Sequence, residues 1–181
     1  MPGKKSLKDF FEVPHDVYPV GRLDYDSEGL LVLTNDKKLN HLLLDPLFEH
    51  EREYWVQVEG AINTDVLSKI SKGVNIKSNG KEYFTKPCKA SPLEIPFQLS
   101  ERFPPIRFRK SIPDSWIKLI LTEGKNRQVR KMTAAVGYPT LRLIRYRIEG
   151  ISLQDLQPGQ MKAFTKEEMY NLLNIKNRYT C

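Results

Sequence analysis

Asp24 stands two residues after Arg22 in the string Gly21-Arg22-Leu23-Asp24. The string continues through Ser27-Glu28-Gly29 into the apolar run Leu30-Leu31-Val32-Leu33 and closes on Thr34-Asn35-Asp36. A carboxylate at the mouth of a buried strand is a candidate nucleophile or general base. A second segment, Glu123-Gly124-Lys125-Asn126-Arg127-Gln128-Val129-Arg130-Lys131-Met132, supplies cations. An opposite charge at close range favours the ionised carboxylate, and Arg130 is the candidate that holds Asp24 ionised and aimed. Tyr54 is the third candidate: its ring could stack on an unstacked base and its phenol could act on a proton. Each has a plainer reading, with Asp24 opening an Asx turn, Arg130 on a helix surface and Tyr54 packed in a sheet. Taken singly, the plainer readings of Asp24 and Tyr54 weigh more. The length of the first segment and its pairing with the second favour chemistry.

These residues need elements to position them. Leu30 to Thr34 reads as a buried strand closed by Asn35-Asp36. Lys37 to Leu44 reads as a short helix with Leu39, Leu42 and Leu43 on one face, stopped before Pro46. Tyr54 to Val58 is a strand ending at Gly60. Asn63-Thr64-Asp65 caps a helix through Lys72, with Gly73 as its stop. Asn79-Gly80 is a hairpin signal inside Val74 to Cys88. Residues 91–113 carry Pro92, Pro96, Pro104, Pro105 and Pro113 and read as an irregular connection. Trp116 to Leu121 alternates as a half-buried strand, and Asn126 to Val136 reads as a helix with Val129, Met132 and Val136 inward. Arg127, Arg130 and Lys131 share another face of it. A strand follows from Leu141, with Arg142 and Arg145 on opposite sides, and Lys166 to Ile175 closes the chain as a helix. Strands and helices do not alternate regularly, so the fold class is α+β with a mixed, largely antiparallel sheet flanked by helices and loops. The domain spans 15–165, between a basic leader at 1–14 and a C-terminal helix and tail at 166–181.

The charge is unevenly placed. Between Arg102 and Arg147 there are 12 Lys/Arg against Asp114 and Glu123, whereas the rest of the chain has 17 Lys/Arg against 20 Asp/Glu. A concentrated basic block is the footprint of a polyanion binder, and arginines at 107, 109, 127, 130, 142, 145 and 147 add forks that match phosphate geometry. Hydrophobic residues make up 40% and charged residues 28% of the chain, as in ordinary globular proteins. No apolar run approaches the roughly 20 residues of a membrane span, and no apolar segment backs the basic N-terminus as a secretory signal would. Cys88 and Cys181 form no zinc spacing and suit a reducing cytoplasm. His15, His41 and His50 match no ligand pattern, and no glycine-rich phosphate loop occurs. Neither a metal nor a cofactor is implied.

The segments Gly21–Asp36, Tyr54–Gly60 and Glu123–Met132, in this order, resemble the motifs of the bacterial ribosomal RNA pseudouridine synthases of the RsuA family. The likeness covers about residues 15–165. Pro104 to Pro113 and the strand after it resemble the small members that modify large-subunit (23S) rRNA and lack an accessory S4 domain. The resemblance implies a cofactor-free isomerisation of a uridine already within RNA. Asp24 would be the essential carboxylate, Arg130 its partner, and Tyr54 the ring stacked on the target base and a candidate base for its C5 proton. Leu143 would pack beneath that base, and Arg22 would help hold it out of its helix. Arg127, Lys131 and Arg145 would complete the RNA-binding set. Many relatives carry an S4 domain ahead of the motif and an Asn-Lys-Pro element upstream of the Asp. Only 20 residues precede Gly21 here, so an N-terminus lacking one sheet strand, with an open edge, is expected.

Two other readings compete. A non-catalytic rRNA-binding or ribosome-assembly factor would account for the basic block, but it has no use for a buried Asp–Arg pair. A DNA-binding protein could use 126–136 as a recognition helix, but a strand precedes that helix where a helix-turn-helix needs a helix. The expected partner is ribosomal RNA, with no membrane, and nothing in the chain calls for more than a monomer.

Overall fold

A computed structural model describes residues 7–95, 99–106, 112–154 and 156–175. The elements in chain order are β1 (Tyr18–Pro19), β2 (Glu28–Gly29), β3 (Leu33–Thr34), α1 (Lys37–Leu44), β4 (Arg52–Glu59), α2 (Thr64–Lys72), β5 (Asn75–Ser78), β6 (Lys81–Phe84), β7 (Lys89–Pro92), β8 (Asp114–Leu121), α3 (Gln128–Ala135), β9 (Thr140–Ile148), β10 (Ile151–Ser152) and α4 (Lys166–Leu172). Strands β10-β9-β4-β8-β7 form an antiparallel sheet, and β2 adds to β9 in parallel.

Period-two alternation decides which face of the sheet is buried. Val56 and Val58 of β4, Ile117, Leu119 and Leu121 of β8 and Leu143 of β9 point the same way. They meet Leu67 and Ile70 of α2 and Val129 and Met132 of α3. Val56, Val58, Ile70, Ile117, Leu119 and Met132 are fully buried, each worth about 1.5–3 kcal/mol of transfer free energy. A second cluster joins Val20, Leu30 and Val32 to Leu39, Leu42 and Leu43 of α1, Ile148 and Ile151, and Leu173 and Ile175 beyond α4.

Several locally encoded elements fall where their residues place them. Helix α1 spans Lys37–Leu44 and buries Leu39, Leu42 and Leu43. Helix α2 is capped by the Asn63 side chain, which accepts from Val66 N, and stops at Gly73. Asn79 and Gly80 both adopt positive φ, 51° and 76°, the geometry of a type I′ hairpin turn, between β5 and β6. Helix α3 starts two residues later than expected, because Arg127 takes φ +51° as its N-cap.

The run Leu30–Thr34 departs from expectation. It is two short pieces: Glu28-Gly29 pairs with Ile144-Arg145, and Leu33-Thr34 pairs with β1, with Leu30 and Val32 buried between them. Gly29 makes the first pairing possible. Its φ is +109°, and a Cβ there would lie 2.4 Å from the Arg145 carbonyl oxygen. Gly29→Ala is therefore expected to cost about 2 kcal/mol or more. Urea unfolding midpoints of the two proteins check this.

Asp36 ties the second cluster together. Its carboxylate caps α1 through Lys38 N and Leu39 N at 2.9 and 3.1 Å, and accepts from Tyr170 Oη and Lys166 Nζ of α4, both at 2.9 Å. Burial alone would raise its pKa, but bonds from Lys166, the Leu39 N–H and Tyr170 outweigh it and hold the carboxyl at about 2, against an ordinary 3.8. A depressed carboxyl contributes stability above its unfolded value and loses it as pH falls through its folded value. Asp36→Ala is expected to cost about 1–2 kcal/mol at neutral pH. The difference from wild type is expected to shrink as pH drops from about 4 towards 2, read by circular-dichroism melts across that range.

Candidate active site

A cleft of about 300 Å³ opens where the two apolar clusters meet. Val20, Val32 and Leu43 form one wall, and Tyr54, Leu121, Val129 and Leu143 the other. Its polar lining comes from two loops, Gly21 to Ser27 and Thr122 to Gln128, and from Arg52 and Arg145.

The first loop is a tight turn. Ser27 N–H donates to the Asp24 carbonyl at 2.9 Å, so Asp24 and Asp26 are the first and third residues of a four-residue turn. The turn satisfies the Asp24 backbone and leaves its carboxylate at the cleft, a quarter exposed and 3.9 Å from Arg127 Nη1. The second loop is organised by Glu123, which is buried. Glu123 accepts from the Tyr83 hydroxyl, from Lys86 N at 2.9 Å and from Gln128 Nε2 at 2.6 Å. Gln128 Oε1 in turn accepts from Lys125 N at 2.8 Å. The hydrogen bond to Glu123, aided by burial, pushes the Tyr83 phenol up to about 12, so Tyr83 serves as a neutral donor.

Tyr54 lies on β4 with Leu119 on one side and Arg145 on the other. The β4–β9 register slips between Glu53 and Tyr54, so that Arg147 faces Glu53 and Arg145 faces Tyr54. The extra residue puts Arg147 on the Glu53 face, where Tyr146 stacks on Trp55 at 3.8 Å, while Arg145 and Leu143 line the cleft. Bulges next to active sites commonly re-aim side chains in this way. Arg145 is buried, and its Nε donates to the Leu30 carbonyl at 2.8 Å. Burial lowers its pKa from the usual arginine value, and the neighbouring Tyr54 opposes that shift. Arg145 and Ser27 both line the cleft.

The cation expected to pair with Asp24 pairs elsewhere. Arg130 lies 3.3 Å through Nε from Asp26 Oδ2 and donates from Nη2 to the Asp26 carbonyl at 2.6 Å. Asp26 also takes Arg127 in two bonds of 2.8 Å. Those bonds from Arg127, against burial and with the charges of Arg130 and Arg127, hold the Asp26 carboxyl at about 2. Asp24, Tyr54, Arg22, Leu143, Arg127 and Arg145 share the cleft. Arg130 bonds to Asp26, and Lys131 Nζ donates to Asn126 Oδ1 at 3.5 Å. Asp26, Glu123 and Gln128 have site roles that sequence reasoning did not assign. Their polar types inside the two motifs were the available signal.

The basic block is also less free than its composition suggests. Arg142 forks onto Glu28 at 3.0 and 2.7 Å, and Arg147 pairs with Glu51 and Glu53 at 3.3 and 3.1 Å. Arg145 is buried and bonded to the Leu30 carbonyl, so each of the three already has a partner within the fold. Arg107 and Arg109 lie outside the described residues. Among the described residues, no helix is long and apolar enough to cross a membrane.

A solved structure described as a pseudouridylate synthase superposes with a TM-score of 0.72 at 26% identity, over 92% of this chain and 65% of that one. The fold is thus that of a base-isomerising enzyme class. A family model described as RNA pseudouridylate synthase matches residues 2–135. A Vibrio vulnificus protein named ribosomal large subunit pseudouridine synthase E is 49% identical over 163 residues, 90% of this chain and 67% of that protein. A Xanthomonas campestris protein of the same name is 48% identical over 162 residues, 90% of this chain and 84% of that protein. The chain spans about two thirds of the length of the Vibrio relatives that it matches. The chain belongs to the RNA pseudouridylate synthase family.

Proposed function

We propose that this protein converts a uridine to pseudouridine within large-subunit (23S) ribosomal RNA, with Asp24 as the essential carboxylate. The reading rests on one observation above the rest: Asp24, Tyr54, Leu143 and Arg145 converge on one cleft. The relatives' names supply the RNA class.

In the reaction the C1′–N1 bond of uridine breaks and a C1′–C5 bond forms. N1 gains a proton and C5 loses one, so the overall balance closes with no added reagent. A uracil base turned out of its stack would lie against Tyr54 and Leu143, with Asp24 at the ribose side. In this reading Tyr54 takes the C5 proton, and Arg145, its cross-strand neighbour, aligns the phenol. Arg22 and Arg127 at the cleft mouth hold the extruded nucleotide and its phosphates. Flipping costs a few kcal/mol and is cheapest in a loop or weakly paired segment, where the target uridine is expected. In this reading the protein works as a monomer in the cytoplasm.

The test is release of tritium from 23S rRNA transcribed with [5-³H]uridine. Stoichiometric release of about one tritium per molecule, with none from 16S rRNA, is the expected result, since C5 must shed its hydrogen when flipped and re-bonded. Binding of both RNAs with no release would contradict the proposal.

A further inference from the structure

The turn that carries Asp24 also carries an exposed ring. Tyr25 is the second residue of the four-residue turn closed by the Ser27 N–H to Asp24 carbonyl bond, and it is 83% exposed. An exposed aromatic by itself is ordinary on a protein surface. Tyr25 differs in how it is held and in what it stands beside. The third turn residue, Asp26, takes both Nη groups of Arg127 at 2.8 Å, and its carbonyl accepts from Arg130 Nη2 at 2.6 Å. Arg127 is in turn the N-cap of α3. The backbone under Tyr25 is thus fixed twice, by the turn bond and by a helix. A tyrosine has only two side-chain torsions to lose on binding, so this ring is presented at low entropic cost.

Its place follows from the cleft. Asp24 and Ser27 line the cleft, whereas Tyr25 lies outside the lining. The ring therefore stands at the mouth. It is not the platform for the target base, which in the proposed reaction lies against Tyr54 and Leu143. An RNA strand that sends one nucleotide into the cleft must cross the mouth on both sides of it. Extruding that nucleotide unstacks its neighbours. Each neighbour then has a bare face, and bare faces of this kind stack on aromatic side chains when single strands are bound. Arg22 and Arg127 line the same cleft and supply cations for the phosphates of that strand. We infer that Tyr25 is a substrate-positioning residue: its ring stacks on the base next to the target uridine and holds the strand with the uridine turned inward. This inference rests on the proposed isomerisation of a uridine in RNA.

Two substitutions separate the ring from its hydroxyl. Tyr25→Ala removes the stacking face, and Tyr25→Phe keeps it. In single-turnover pseudouridine formation, Tyr25→Ala is expected to raise the half-saturating enzyme concentration by about tenfold, within the range for one stacked base. The rate at saturation is expected to stay within about twofold of wild type. Tyr25→Phe is expected to match the wild type in both, and all three proteins are expected to melt together. A residue that merely shaped the turn would lower the melting temperature or the saturated rate and leave half-saturation unchanged, and that result overturns the inference.

A hairpin RNA carrying the target uridine, made abasic at the nucleotide before or after it, identifies the stacked partner. At one of the two positions the abasic change is expected to cost the wild type what Tyr25→Ala costs, and to cost the variant nothing further. Losses that add at both positions overturn the inference. Tyr25→Trp supplies a readout that needs no activity. Stacking on a base quenches indole fluorescence, so 23S rRNA is expected to quench this variant beyond the wild type, whose Trp55 is buried. Equal quenching of the two proteins overturns the inference. Should the wild-type protein form no pseudouridine in any RNA, the proposed function fails, while the fluorescence arm still decides whether a ring at position 25 meets RNA.

Discussion

Asp24→Asn is expected to abolish pseudouridine formation, by about 10⁴-fold or more, while RNA binding persists. The substitution is nearly isosteric. The turn that carries Asp24 is closed by its backbone carbonyl, which Asn retains. The side chain's recorded ion pair is the 3.9 Å approach of Arg127, too long to hold the loop. Stability should therefore change little, and the loss should fall on the chemical step. Melting temperature, RNA affinity and single-turnover rate, measured together, check this. A variant that lost rate only in proportion to a lost fold would point to a structural Asp24 instead.

Arg145→Met carries the second-largest expected effect. Arg145 is buried beside Tyr54, anchored through Nε to the Leu30 carbonyl, and lines the cleft. Methionine fills much of the same volume without the donors. Loss of an oriented donor at a reacting group costs about 10²–10³-fold in rate, and that range is expected here. Met also relieves the burial of a cation, so the variant should stay folded. Arg145→Lys should recover little, because a point charge reproduces neither the Leu30 anchor nor the second donor together. Near-wild-type turnover by Arg145→Met would remove Arg145 from the site.

The two predictions draw on different parts of what the sequence encodes. Helices α1 and α2 and the Asn79-Gly80 hairpin were legible because caps, apolar spacing and turn residues act within a few positions. The broken run Leu30–Thr34 was not. Its division comes from a parallel pairing of Glu28-Gly29 with Ile144-Arg145, a contact that no local period records. The same distance in sequence hid the fate of the basic block: Arg142 finds Glu28 at a separation of 114 residues and Arg147 finds Glu53 at 94. Spacing brought Asp24 and the cations to one site, while the close contacts of Arg130 go to Asp26. Asp24 and Asp26 sit two apart on one turn, and only the geometry decides which of them the guanidiniums reach.

The most direct measurement is nucleotide-resolution pseudouridine mapping of unmodified 23S rRNA incubated with the wild-type protein and with Asp24→Asn. One new pseudouridine made by the wild type and missing from the variant, with both proteins bound to the RNA, is the predicted result. The same pseudouridine made by Asp24→Asn at the wild-type rate would contradict an essential carboxylate at Asp24.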